Sequence, residues 1–262
     1  MHSLASLPQW ALCLIFPAGA LLALGSLTLL LRKVAPAIGL TGYDGDILDT
    51  ATQNSLGGAY VILGFSLVMV LGSVDKLGRD IMTEATRIES LDRLLVLEGS
   101  AEAQHMRKTL RAYTESVLQT EWPVLHQQKG APATGDLLQN LFREVGTIKV
   151  DSNRQTVLFT EIIRKTEEVV QSRQQRIAES SGSLPTLFWI LCYCGFAGVI
   201  VIAALRLLDS TPVRAVALAT QIAVLALLFS AVLIIDHPFL GDEAVDPGPI
   251  IKALNQIEKR DP

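Results

Sequence analysis

The sequence predicts an all-α integral membrane protein: four transmembrane helices, with a helical-bundle extramembrane domain inserted between helices 2 and 3. Three observations predict this class. Half of the 262 residues are hydrophobic and mean hydropathy is +0.38, too apolar for an ordinary soluble chain. Formal charges are nearly absent from four segments, each of about 20 residues, the length a helix needs to cross a hydrocarbon core of ~30 Å. Between the second and third of these lies a block, 75–183, with 15 Lys and Arg against 16 Asp and Glu. The implied organisation is a first transmembrane pair (1–74, spans near 8–31 and 55–74), the helical domain (75–183), a second pair (184–235) and a tail (236–262) with a short amphipathic helix.

The totals also exclude classes. Net charge is −4 and the block is balanced, so no basic face invites nucleic acid; the lipid bilayer is the expected partner. Cys13, Cys192 and Cys194 all sit in apolar segments, and the charged block has none, so no disulfide framework is implied. Cys192 and Cys194 lack His or carboxylate neighbours and read as small packing residues, not metal ligands.

The first span, Pro8–Leu31, carries no formal charge and is followed by Arg32-Lys33. It lacks the basic n-region and small-residue cleavage site of a signal peptide and reads as a retained helix. Arg32–Asn54 reads as a loop. Its string Tyr43-Asp44-Gly45-Asp46 lacks the further ligands and late bidentate Glu of a calcium-binding loop, and reads as solvated turn residues. The second span, Ser55–Val74, contains Gly57, Gly58, Gly64 and Gly72, small residues that admit close helix approach. Ile62, Phe65 and Met69, spaced i, i+3, i+7, share one face. Such a stripe is most often ordinary packing; the alternative is an apolar constriction that gates a pore by dewetting.

In the block, Ile81, Ala85, Ile88, Leu91 and Leu95 mark one helix face, with Glu84/Arg87 and Glu89/Arg93 expected outside. Ser100 is placed to cap the next helix, which runs through Met106, Leu110, Tyr113 and Val117 to Trp122-Pro123. Lys129–Gly135 is a loop, and a short helix follows with Leu137, Leu138, Leu141 and Val145. Asp151 is the expected cap of a long helix whose near-heptad stripe is Phe159, Ile163, Val170 and Ile177. Such one-faced helices must pack together, hence a bundle. Leu184–Leu205 and Ala215–Ile235 are the third and fourth spans; the short turn between them forces an antiparallel hairpin. Gln221, the fourth span's lone side-chain amide, is expected to bond across helices. Ile250–Lys259 is the amphipathic helix of the tail.

No catalytic constellation is present. There is no Walker loop, nucleophile elbow or zinc-protease motif. His2, His105, His126 and His237 are scattered, and the spans hold no ionisable residue for a proton relay. The reading is therefore a protein that is not an enzyme, with no cofactor and no metal site.

Three stretches carry a resemblance: Gly58-Ala59-Tyr60-Val61-Ile62-Leu63-Gly64-Phe65, the run from Tyr113 through Glu121-Trp122-Pro123, and Asp236-His237-Pro238-Phe239-Leu240-Gly241. Together they resemble the bacterial bestrophin-like membrane protein family, itself distantly similar to the bestrophin anion channels. The resemblance spans roughly residues 50–257. It implies a homo-oligomer, pentameric in bestrophins, that passes small anions, with cytosolic termini and a cytosolic helical region. It also implies a pore lined by the second span, with Ile62, Phe65 and Met69 as the pore-lining candidates. Asp236, Pro238, Phe239 and Gly241 correspond to a turn motif after the last span, which in animal members belongs to a calcium clasp. Here an inserted Leu240 and a thin acidic cluster favour a structural turn. The alternative function is a membrane sensor or scaffold with a helical input domain, weakened by the short chain left after Ile235. Four spans place the block and both termini on one side. Arg32, Lys33, Arg206 and Arg214 flank the opposite side, so the short-loop charge rule points the block outward, whereas the resemblance implies the cytoplasm.

Overall fold

The computed structural model describes residues 9–34, 45–127, 129–180, 182–240 and 244–260, which contain helices and no strand. In chain order these are α1 (Gln9–Val34), α2 (Gly45–Glu98), α3 (Ala101–Ser116), α4 (Pro132–Val145), α5 (Asn153–Glu179), α6 (Thr186–Arg206), α7 (Pro212–Ile235) and α8 (Gly248–Lys259). A π-helical turn (Val117–Glu121) and a 3-10 segment (Trp122–Gln127) prolong α3, and a 3-10 turn (Leu207–Asp209) joins α6 to α7. Four of these helices are long and apolar enough to cross a membrane.

The chain divides into two units. The first holds α1, α2 as far as Gly72, α6 and α7. Here α1 packs against α6 and α7. Leu24, Leu63, Val70, Ala203, Ile222, Leu225 and Val232 form the buried core. Phe229 ties three helices together, its ring lying 6.0 Å from Phe16, 5.7 Å from Trp189, 5.2 Å from Tyr193 and 5.8 Å from Phe196. Such aromatic pairs add about 0.5–1.5 kcal/mol each beyond the area they bury.

The second unit holds α2 from Ser73 onward, α3, α4, α5 and α8. The five apolar positions expected on this part of α2 are all buried, joined by Met106, Leu110, Tyr113 and Val117 from α3 and its continuation, Leu141 from α4, Ile162 and Val169 from α5, and Ile250, Ala253 and Ile257 from α8. Gly99 stops α2: its φ of +76° suits only a residue without Cβ, and its N–H donates to Leu95 O. The Ser100 hydroxyl accepts from Ala103 N–H and starts α3.

Several expectations need correction. The supposed loop 32–54 is helical over its described part from 45 onward, so α2 is a single helix of 54 residues. The Tyr43-Asp44 part of that loop lies outside the described residues. α5 is capped by Ser152, whose hydroxyl accepts from Gln155 N–H, and not by Asp151. Its buried face is Ile162, Thr166, Val169, Ser172 and Arg176. The stripe Phe159, Ile163, Val170 and Ile177 flanks that face and is half-buried. Glu84, expected on the outside, is fully buried, whereas Glu89 and Arg93 do pair on the surface.

Candidate pore-lining face and buried charge network

Within the first unit, α2 has two unlike sides. Leu56, Leu63, Ser66 and Val70 are buried against neighbouring helices, and the Ser66 hydroxyl bonds back to Ile62 O at 2.6 Å. On the other side Ile62, Phe65 and Met69 are 53 %, 69 % and 62 % exposed, with Val61 and Val68 beside them. An apolar strip this exposed has its partners outside the chain, in lipid, in another copy or along a pore. A Cβ built on Gly57, Gly58, Gly64 or Gly72 would meet nothing within 4 Å, so the packing of one copy does not require these glycines. The three candidates are not equivalent. Ile62 edges an apolar recess of about 320 Å³ shared with Phe188, Leu191 and Phe196 of α6 and Leu225 of α7; Phe65 and Met69 do not line it.

The turn after α7 does separate jobs with successive residues. Asp236 is buried, and its Oδ1 accepts from Ser183 N–H (2.8 Å), Ser183 Oγ (2.8 Å) and Leu184 N–H (3.2 Å). One carboxylate thereby satisfies donors just before α6, where Pro185 supplies no side-chain cap. Pro238 O accepts from Val245 N–H at 2.8 Å. Phe239 sets its ring edge-on to Trp122 at 5.5 Å, within the core of the second unit. Gly241 lies outside the described residues. Among the described residues no group of three His, Cys, Asp or Glu converges as a metal site would require.

Sequence reasoning missed the most polar feature of the second unit. Arg176 on α5 is 1 % exposed. Its Nε and Nη2 donate to Glu84 of α2 at 2.7 and 3.2 Å, and Nη2 also reaches Glu121 at 2.9 Å. Glu121 accepts in addition from Arg173 Nη2 at 2.5 Å and from Ala131 N–H at 3.0 Å. The Tyr113 hydroxyl donates to Glu84 at 3.3 Å, and the Arg176 guanidinium lies 5.7 Å from the centre of the Trp122 ring. Burial works against charge on Arg176, but Glu84 above all, with Tyr113 and Glu121 behind it, outweighs that cost and holds the guanidinium protonated. Burial, reinforced by Glu84, pushes the Tyr113 phenol well above its usual range.

Local geometry makes this cluster possible. In an α-helix, residues four apart drift by about 40° around the axis. Tyr113, Val117 and Glu121 are spaced by four and all are buried. The π turn, in which Trp122 N–H bonds to Val117 O, widens the helix and offsets that drift. Gly130 then passes so close that a Cβ would lie 2.6 Å from Ile177 Cδ1 and 2.9 Å from Arg173 Nη2. A second buried pair, Asp92 with Arg107 at 2.8 Å, is joined by Arg260 at 2.8 Å and holds the end of α8. The detectable signal was phase: Glu84 lies between Ile81 and Ile88, on the stripe already assigned to the core.

Four apolar spans and a helical unit cored by charge pairs define an integral membrane protein with an extramembrane helical bundle. A sequence model of the Bestrophin-like domain matches residues 54–250, and the chain belongs to that family. Among solved structures, a point mutant of a bacterial bestrophin homologue from Klebsiella pneumoniae aligns with TM-score 0.69 at 11 % identity, covering 94 % of this chain and 99 % of that one. The same homologue phased by Zn-SAD gives 0.65 at 14 % identity over 94 % and 96 %. A point mutant described only as a membrane protein gives 0.70 at 10 % over 94 % and 97 %. At these identities the likeness is one of fold. No curated protein matches.

Proposed function

We propose that this protein is an oligomeric ion channel for small anions, assembled from identical subunits, with a ring of five as the expected arrangement. The observation that carries the reading is the uncharged, exposed face of α2 at Ile62, Phe65 and Met69. Membership of the Bestrophin-like family supports reading that face as a pore wall in preference to a lipid contact, with the three side chains forming an apolar neck. A neck of this kind passes ions only when wetted, so its width sets the conductance. The glycines of α2 support the assembly, since their open backbone gives a second copy room to approach. The helical unit and both termini are assigned to the cytoplasm, and no catalysis is assigned.

The test is chloride efflux from liposomes holding the purified protein, with its oligomeric state measured in parallel. Flux above empty vesicles, increased when Ile62, Phe65 and Met69 are all replaced by Ala, is the expected result. A folded oligomer that passes no chloride overturns the channel reading. A folded monomer overturns the assembly on which it rests.

A further inference from the structure

The first unit contains a polar cleft that the channel reading does not use. It lies between the first turns of α2 and the first three turns of α7, has a volume of about 280 Å³, and is lined by Asp49, Gln53, Arg206, Arg214 and Gln221, among others. That is room for roughly nine waters at ~30 Å³ each, or for one oxyanion with a partial water shell. On α7 the lining residues Arg214, Ala217, Leu218 and Gln221 fall at i, i+3, i+4 and i+7, so one stripe of an otherwise apolar helix faces the cleft. At the inner end the Tyr60 hydroxyl donates to Gln221 O at 2.9 Å and ties α2 to α7.

The charges in this cleft are unequal. The buried Arg206 guanidinium grips Asp49 with two nitrogens, Nε on Oδ1 and Nη2 on Oδ2, the latter at 3.0 Å. That pairing fixes Arg206 in place and neutralises one positive charge. Arg214 supplies a second positive charge and makes no ion pair among the described residues. α7 starts beside it at Thr211, whose side chain does not cap the helix, so the positive end of the helix dipole lies close to Arg214. The Gln53 and Gln221 amides add neutral N–H donors. Arginine, helix end and amides together make a set of donors around a net positive charge, on a helix that otherwise belongs in a bilayer.

We infer that the cleft binds one singly charged oxyanion group, free in solution or as the phosphate of a phospholipid, through Arg214 and Gln221, with Arg206 held in position by Asp49. Positive pockets between helix ends suit both sources. The site goes beyond the channel reading and does not depend on conduction.

The test reads binding and never flux. Purified protein in detergent is melted at about pH 6, where phosphate is mainly singly charged, in sodium phosphate and in sodium chloride at equal ionic strength. In a second arm, native mass spectrometry counts lipids retained from phosphatidylglycerol or phosphatidylcholine micelles. A ligand at ten times its dissociation constant should raise the midpoint by about 4 °C. Arg214→Gln, at an exposed position where the fold should tolerate it, should abolish the phosphate response and lower phosphatidylglycerol retention at least fivefold. Gln221→Leu should weaken both, and Lys33→Gln, at another span end outside the cleft, should change neither. A phosphate response alone assigns a free oxyanion, and selective phosphatidylglycerol retention alone assigns a headgroup. No response in either arm, or responses that survive Arg214→Gln, overturn the proposal.

Discussion

Replacing Arg176 by Met tests the buried network directly. Met approximates the length of the side chain and can fill the space beside Trp122, so the main loss is electrostatic. Glu121 keeps Arg173 and the Ala131 amide. Glu84 loses both guanidinium bonds and retains only the Tyr113 hydroxyl at 3.3 Å. One carboxylate, fully buried, is thus left unpaired. Removing one partner of a buried pair destabilises by about 3–5 kcal/mol. For a chain of this size each kcal/mol shifts the melting midpoint by ~2–4 °C, giving a fall of about 6–20 °C. The assay is thermal unfolding in detergent followed by circular dichroism at a fixed scan rate, since a membrane protein's midpoint is partly kinetic. Arg93→Met is the control, because that residue makes an exposed i,i+4 pair worth about 0.3–0.5 kcal/mol. Adding Glu84→Gln to Arg176→Met removes the orphaned charge and should recover much of the loss. If Arg176→Met melts within 2–3 °C of Arg93→Met, on the ~2–4 °C per kcal/mol scale, the buried pair is not what holds α2 to α5.

Three further outcomes are expected from the same structure. The Tyr113 phenol titrates higher in the folded chain than in the unfolded one, so its contribution is intact below the unfolded value near 10 and is lost as pH rises beyond it. Wild-type stability should then fall above about pH 10 more steeply than that of Tyr113→Phe, by up to ~1.4 kcal/mol per pH unit; parallel pH profiles would refute this. Asp236→Ala strands the donors of Ser183 and Leu184, and should cost about 1–2 kcal/mol in the melting assay. Asp92→Ala breaks the buried Asp92–Arg107 ion pair, so we expect a loss of roughly 3 kcal/mol. Because Arg260 then keeps only its longer contact to Glu89, at 3.9 Å, proteolysis should cut the chain near α8 sooner than in wild type.

The helices were legible in the sequence because burial imposes a period of 3.6 and the apolar residues obey it. Ile81, Ala85, Ile88, Leu91 and Leu95 are all at most 5 % exposed. The spans were legible from composition alone. Two kinds of feature were not. Helix ends without an apolar pattern were missed, as at 45–54, where Gly45, Asp46, Asp49 and Asn54 read as turn formers but stand in the first turns of α2. A long helix can include such residues because its later turns, packed in both units, supply the stability that local propensity lacks.

The buried charges escaped for a different reason. A rule that sends every Glu and Arg to the surface displaces the inferred face of a helix wherever the core is charged. On α5 the true face runs through Thr166, Ser172 and Arg176, so an apolar-only reading slid to Phe159, Ile163 and Val170 on its flank. On α2 the same rule sent Glu84 outward although Ile81 and Ile88 bracket it at i−3 and i+4. Had phase been given priority over polarity, Glu84 and Arg176 would each have been placed inside, and each would then have demanded an opposite charge. That demand leads to Glu121, which sits in the Glu121-Trp122-Pro123 run already noted as a family signature. The signature and the buried pair are therefore one feature: the π turn sets Glu121 to receive Arg173 and Arg176, and the next residue, Trp122, covers the Arg176 guanidinium.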